Sequence, residues 1–307
     1  MKMRKTLVFG AVLLLVALAA CKGGEKAVSE GAPFIGGTTG VTISFIDFRS
    51  DVFDSGDDPF DVTVKLENVG EWAVPQEEMR VSLSGINPAE FGKHVEDFVA
   101  KPTEDLIETR KDSAGNVIKS PPITVEFNNL NYQDSLAGAS LEFPLVASVC
   151  YGYGTDVQSK LCVRKSILNP EEGGLCEIIA DKTAYNSAAP VQVENLKESA
   201  RAGDKIGFSF DIAQAGTGKI FEDGSGCLNE NKVKVKIDAR LSGLSCTGLV
   251  TTGTAAEGTT TLFDGKKTVS CTQQIGRTDD YEQKLSITLG YEYEESVQTT
   301  LNVKRSE

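Results

Sequence analysis

The sequence predicts an all-β protein made of two tandem antiparallel β-sandwiches, and three observations carry that expectation. Apolar and polar residues alternate over many short runs, as in Phe60-Asp61-Val62-Thr63-Val64-Lys65-Leu66-Glu67, which is the period of a strand with one buried face. Few stretches carry a 3.6-residue apolar stripe, and Asn87-Pro88-Ala89-Glu90-Phe91 supports only one short turn of helix. The chain also repeats itself. Residues 149–165 lie over 289–305 without a gap, with Tyr, Tyr, Val, Gln, Leu and Val identical at 151, 153, 157, 158, 161 and 163. Nearer the start of each half, residues 58–70 parallel 204–216. The offsets are 140 and 146, so the intervening loops differ by six residues.

Taken in order, the first copy predicts strands at 42–48, 60–66, 80–84, 123–127 and 141–150. The second predicts them at 191–196, 206–212, 233–241, 268–274 and 285–293. Roughly seven short strands per copy, separated by Gly, Asn, Asp and Pro, match the strand number and turn spacing of antiparallel sandwiches. The domains are then 41–166 and 176–307, joined by a linker at 167–175 in which Pro170 and Gly173-Gly174 form a hinge. The repeated segment reads as a hairpin turning near Gly154. Alternation puts Val149, Tyr151, Tyr153, Val157, Leu161 and Val163 on one face, with Cys150, Gly152, Lys160 and Cys162 on the other.

The N-terminus gives the chain an address. Lys2, Arg4 and Lys5 precede an apolar run from Leu7 to Ala20, the order of charged and apolar regions in a secretory signal. The run is shorter than the roughly 20 residues that span a bilayer. Its end, Leu18-Ala19-Ala20-Cys21, resembles the lipobox of prokaryotic lipoproteins. That resemblance implies cleavage after residue 20, diacylglycerol on the Cys21 thiol, and residues 21–40 as a flexible tether to the membrane. Loss of the three leader cations takes the formal net charge from -13 to -16. So acidic a body has no electrostatic reason to seek nucleic acid or anionic headgroups.

Setting Cys21 aside leaves six of the seven cysteines, an even set suited to disulfides in an oxidising compartment. Their spacing lacks the paired CxxC of zinc ribbons. Cys150 and Cys162 fall on the outward face of the expected hairpin, and the second copy replaces both, by Gly290 and Asn302; the first expected bridge is therefore Cys150–Cys162. Cys246 and Cys271 flank a Thr/Gly/Ala stretch at 251–261 that reads as a flexible loop tied at its base. Cys176–Cys227 remains as the third.

The strand end Leu66-Glu67-Asn68-Val69-Gly70 and its partner Ile212-Ala213-Gln214-Ala215-Gly216 are similar to the Asn-x-Gly strand end of immunoglobulin-like modules in bacterial and archaeal cell-surface adhesion proteins. The resemblance covers about a third of each copy. It implies two immunoglobulin-like β-sandwich domains serving as surface binding or spacer modules, and it transfers no catalytic residue.

Candidate chemistry is sparse. The single histidine, His94, has no Gly-x-Ser-x-Gly elbow beside it. With 44 Asp and Glu, carboxylate pairs are too common to diagnose a glycosidase. Asp51, Asp54, Asp57, Asp58 and Asp61 gather in one loop, oxygen ligands suited to calcium but not at EF-hand spacing. The alternative is an acidic, solvated turn, and no cofactor is expected. The tyrosines of the repeat are candidates for a binding face, yet they share it with Val and Leu. The expectation is a lipid-anchored extracytoplasmic protein without catalysis, its partners being the membrane through its lipid and another envelope or surface protein, with no nucleic acid. A structural subunit of a surface layer or filament is the alternative, ahead of an extracytoplasmic enzyme or solute-binding component.

Overall fold

The computed structural model describes residues 32–166, 174–201, 204–276 and 279–306. The leader, Cys21 and most of the expected linker 167–175 lie outside them. The first copy contributes β1 (Val41–Ile46), β2 (Asp51–Phe53), β3 (Phe60–Asn68), β4 (Met79–Ser84), β5 (Val99–Ala100), β6 (Arg110–Lys111), β7 (Val117–Ile118), β8 (Ile123–Leu130) and β9 (Ser140–Val163). The second contributes β10 (Ala180–Asp181), β11 (Tyr185–Asn186), β12 (Val191–Ala200), β13 (Lys205–Gln214), β14 (Lys219–Phe221), β15 (Lys232–Asp238), β16 (Leu244–Cys246), β17 (Val250–Thr252), β18 (Ala255–Thr261), β19 (Lys266–Gln274) and β20 (Tyr281–Lys304). The fold is all-β. Among the described residues, helix is confined to single 3-10 turns, one of them the expected Pro88–Phe91.

Alternation governs the core strands as expected. Phe60, Val62, Val64 and Leu66 of β3 are buried, as are Ile206, Phe208, Phe210 and Ile212 of β13. β3 is the centre of a three-stranded sheet, β1-β3-β8, and β13 the centre of a five-stranded one, β10-β12-β13-β19-β16. Both halves share one ten-stranded sheet with the main order β17-β18-β15-β20-β9-β4-β5.

The spine of that sheet is β9 against β20. Each has 24 residues, and they pair antiparallel throughout, from Ser140 opposite Lys304 to Val163 opposite Tyr281. At about 3.3 Å per residue each strand is roughly 80 Å long. The repeats therefore face each other: Tyr151 lies opposite Tyr293 and Tyr153 opposite Tyr291. A pseudo-twofold axis passes through the Gly152–Glu292 pair.

This corrects the hairpin reading of the repeat. Gly152 and Gly154 looked like turn residues, yet both sit inside an extended strand because side chains cross their faces. A Cβ at Gly154 would lie 2.7 Å from the Trp72 ring, and one at Gly152 would lie 2.6 Å from a Glu78 carboxylate oxygen. Strand glycines of this kind permit close approach and need not mark a turn.

It also corrects the two-body arrangement. Residues 33–307 form one compact unit, and buried side chains of both copies belong to one hydrophobic cluster. The shared β9–β20 ladder leaves no surface along which the copies part. All-β antiparallel layering thus holds, whereas separate immunoglobulin-like sandwiches do not emerge. The expected tether 21–40 is shortened as well. Ile35 and Gly36 donate their N–H groups to Glu71 at 2.9 and 3.0 Å, and Ala188 of the second copy donates to the same carboxylate at 2.8 Å.

The bridges among the described residues are Cys150–Cys227, Cys162–Cys176 and Cys246–Cys271. The last is the expected pair, on directly opposed residues of β19 and β16. The other two expectations, Cys150–Cys162 and Cys176–Cys227, are wrong for one reason. On a continuous strand, twelve residues at about 3.3 Å each hold Cys150 and Cys162 some 40 Å apart. Three disulfides suit an oxidising, extracytoplasmic compartment. The stretch 251–261, expected to be a flexible loop, forms part of the β17–β18 hairpin, and β18 pairs with β15 along its length. No helix among the described residues is long and apolar enough to cross a membrane.

Candidate functional site

The acidic loop distributes its carboxylates to separate structural tasks. Asp51 pairs with Lys304 at 2.9 Å, and Asp58 holds Arg49 at 2.9 Å and the Phe53 N–H at 2.8 Å. Asp61 accepts from the Asn129 N–H at 2.8 Å. Asp54 is buried and accepts from the Leu136 N–H at 2.6 Å and from the N–H and hydroxyl of Ser306 at 2.7 and 2.6 Å. The one group of His, Cys, Asp and Glu ligand atoms close enough to hold a metal, among the described residues, is Cys150, Cys227 and Glu292, which excludes all five loop aspartates. Its two sulfurs are bonded to each other. Asp54 forms a clasp that ties the end of β2 to the loop before β9 and to Ser306 after β20.

The Leu136 N–H, followed by the two Ser306 donors, draws the Asp54 pKa down to about 2. A carboxylate held below its unfolded value of about 3.9 contributes its stabilisation fully above that value and loses it as pH falls through the folded pKa. The urea midpoint of the native chain should therefore fall between pH 4 and pH 2. Asp54→Asn should begin lower at pH 7 and fall less over that window, as equilibrium melts at each pH will read out.

The repeated tyrosines are core residues. Tyr151, Tyr153, Tyr291 and Tyr293 are at most 3% exposed, with ring centroids 5.5 to 6.4 Å apart around the pseudo-twofold axis. Burial pushes every one of these phenols upward, Tyr293 to about 12. Each hydroxyl finds a partner, as buried phenols require. Tyr151 accepts from the Val41 N–H at 3.1 Å, and its counterpart Tyr291 accepts from Val191 at 3.3 Å. Tyr153 donates to Asn68 at 3.1 Å, and Tyr293 accepts from the Gly218 N–H at 2.6 Å. The strand ends at Asn68-Val69-Gly70 and Gln214-Ala215-Gly216 are thus sockets for tyrosines, and the two sequence matches are halves of one packing motif.

Other polar groups the sequence did not single out are structural too. Glu198 is 3% exposed, accepts from the Cys162 N–H at 2.8 Å and pairs with Lys182 at 2.9 Å. Burial dominates these contacts and holds its carboxyl up to about 7. Beside Cys150–Cys227, Glu292 accepts from the Cys227 N–H at 2.6 Å and the Ser225 hydroxyl at 3.1 Å. Burial, followed by the charges of Asp223, Glu77 and Glu292, raises the Glu78 carboxyl. His94 is exposed ahead of the turn Val95–Phe98, its N–H donating to Asp97 at 2.8 Å.

A concavity lies where β18 turns into β19 and the two sheets part, a cavity of about 380 Å³. Leu249 and Val269 lie among its lining residues, with Thr260, Phe263, Lys267 and Ser270. Phe263 and Lys266 exchange backbone hydrogen bonds of 3.0 and 3.1 Å. They close a two-residue turn at Asp264-Gly265, whose φ angles of 52° and 69° are those of a type I′ hairpin. The Phe263 ring, 71% exposed, is therefore displayed on a rigid corner. The Asp264-Gly265 dipeptide is the sequence signal for that corner.

No family model and no curated protein matches the chain. Among solved structures it is similar to the secreted serine protease VesC from Vibrio cholerae, with a TM-score of 0.19 and 9% identity over 81% of this chain and 50% of that one. It is also similar to Escherichia coli alpha-2-macroglobulin activated by porcine elastase, with a TM-score of 0.13 and 12% identity over 87% of this chain and 22% of that one. The chain spans half or less of the length of both structures, and at these scores neither likeness carries an argument about its fold or activity.

Proposed function

We propose that this chain is a lipid-anchored extracytoplasmic protein that works by binding, as an adhesion or envelope-assembly unit, and catalyses no reaction. The observation that carries the reading is the set of three disulfides in a chain whose start ends in Leu18-Ala19-Ala20-Cys21. Stable bridges call for an oxidising compartment, and a cysteine at the close of a basic-then-apolar leader supplies the anchor. Its buried carboxylates and phenols are committed to backbone N–H groups and to the side chains of Ser306, Lys182, Asn68 and Thr155, which favours a scaffold that presents surface. Intact-mass measurement of the membrane fraction tests the anchor. The expected mature chain begins at Cys21 and carries lipid; one that begins elsewhere, or an unmodified Cys21, overturns it. Saturable binding of the purified mature chain to envelopes of its source cell tests the binding reading.

A structural subunit of a surface layer or filament is the second reading. It is favoured by β8, which among the described residues pairs with β3 alone and so offers an edge for strand addition. Concentration-dependent polymerisation measured by light scattering would select it.

A further inference from the structure

We infer that the cavity between β18 and β19 binds an acidic oligosaccharide, a proposal that rests on reading the chain as a binding protein. The chemistry of the lining specifies the ligand. Lys267 lies on the same strand face as buried Val269 and Cys271, so it projects towards the mouth between the sheets. Thr260 lies on the face of buried Ala256 in β18 and meets it from the other side. Apolar Leu249 and Val269 line the cavity with them, and the Phe263 ring stands at the rim.

A ligand that uses all of these needs an apolar face, hydroxyls around its edge and a negative charge. A sugar ring has the first two on one body, and a uronic acid adds the third. The hydroxyls of Thr247 and Thr260 have no hydrogen-bond partner among the described residues, so they are free to donate and accept. The charge argument is independent. Lys266 is paired with Asp211 at 3.0 Å, whereas its neighbour Lys267 has no ion pair among the described residues and lies 6.0 Å from the Phe263 ring centre. In a chain of net charge -13 an unpaired lysine at the mouth of a cavity is a focus for an anion.

An extended peptide fits less well. β17 covers β18 only over residues 255–257, which leaves 258–261 as open edge. So short an edge gives few main-chain bonds, and strand addition draws its specificity from pockets for alternate side chains.

The test is calorimetric titration of the mature chain with tetragalacturonate, with tetraglucuronate, with the matched neutral galactotetraose and with an extended eight-residue peptide. A uronate tetramer should bind more tightly than the neutral one. Lys267→Met should weaken the acidic tetramer about tenfold, the worth of one charge-assisted hydrogen bond, and leave the neutral one unchanged. Phe263→Ala should weaken both by about tenfold, as loss of an exposed aromatic anchor does. Both side chains are peripheral, so thermal melts of the variants should match the native chain. Failure of both uronates to bind at 10 mM, preference for the peptide, or no effect of Phe263→Ala overturns the proposal. Envelope binding separates this failure from that of the reading beneath it. If native chain and Phe263→Ala bind envelopes equally, the binding function stands and this site falls; if neither binds, the binding function itself has failed.

Discussion

Replacing Cys150 and Cys227 together by alanine should lower the unfolding free energy by about 4 kcal/mol, the largest loss from any of the three bridges. The bridge joins residues 77 apart in sequence, against 14 for Cys162–Cys176 and 25 for Cys246–Cys271. On the chain-entropy account a cross-link restricts the unfolded ensemble more the longer the loop it closes, giving about 3 kcal/mol near 15 residues and between 4 and 5 near 80. The site adds a second effect. Cys227 donates its N–H to Glu292 and Arg80 donates to the Gly226 carbonyl at 2.8 Å, so loss of the bridge frees a segment that covers the second face of β9. Urea melts of the three double-alanine variants should rank Cys150–Cys227 lowest, then Cys246–Cys271, then Cys162–Cys176. Equal midpoints would refute the loop-length ordering.

Gly70→Ala should destabilise by about 3 kcal/mol, at the upper end for overpacking a filled core. A Cβ there would stand 2.0 Å from the Tyr153 hydroxyl, 2.6 Å from the Ala188 carbonyl oxygen and 2.9 Å from that of Thr39. The tyrosine can move only by giving up Asn68, and the other two neighbours are backbone. Gly216→Ala meets the Tyr293 hydroxyl at 2.5 Å and the Pro190 Cβ at 2.7 Å. It should cost less, and Tyr293→Phe should relieve part of it. Denaturant melts of the singles and of Gly216→Ala/Tyr293→Phe form a double-mutant cycle whose coupling should favour the pair.

The parts of the fold legible in the sequence were those fixed by local period. β3 and β13 follow from alternation alone, and the Pro88–Phe91 turn from its Asn87 cap, which accepts from the Ala89 N–H at 3.3 Å. What stayed hidden depends on partners far away in the chain. Gly152 and Gly154 are read as turn residues until Glu78 and Trp72 are known to cross them. The cysteine pairing follows from that strand being unbroken. Glu71, which gathers N–H groups from residues 35, 36 and 188, carries no local mark. Tyr153 and Gly70 were each visible as parts of a repeat, but that one fills the space left by the other is a fact of packing. At the cavity, the Thr-rich composition of 251–261 reads as a flexible loop, because polar strands with little burial lack the alternation that identifies a strand.

The β9–β20 ladder has a consequence for how the molecule is made. Its contacts join residues separated by 118 to 164 positions, so the central pairing belongs to the slow, non-local class of folding events. β20 follows every other described strand in the chain, and until it pairs β9 lacks this partner along all 24 of its residues. The central ladder therefore closes only once residues 281–304 are free to pair with 140–163. In that interval β9 is an unpaired edge strand, open to pairing with neighbouring chains.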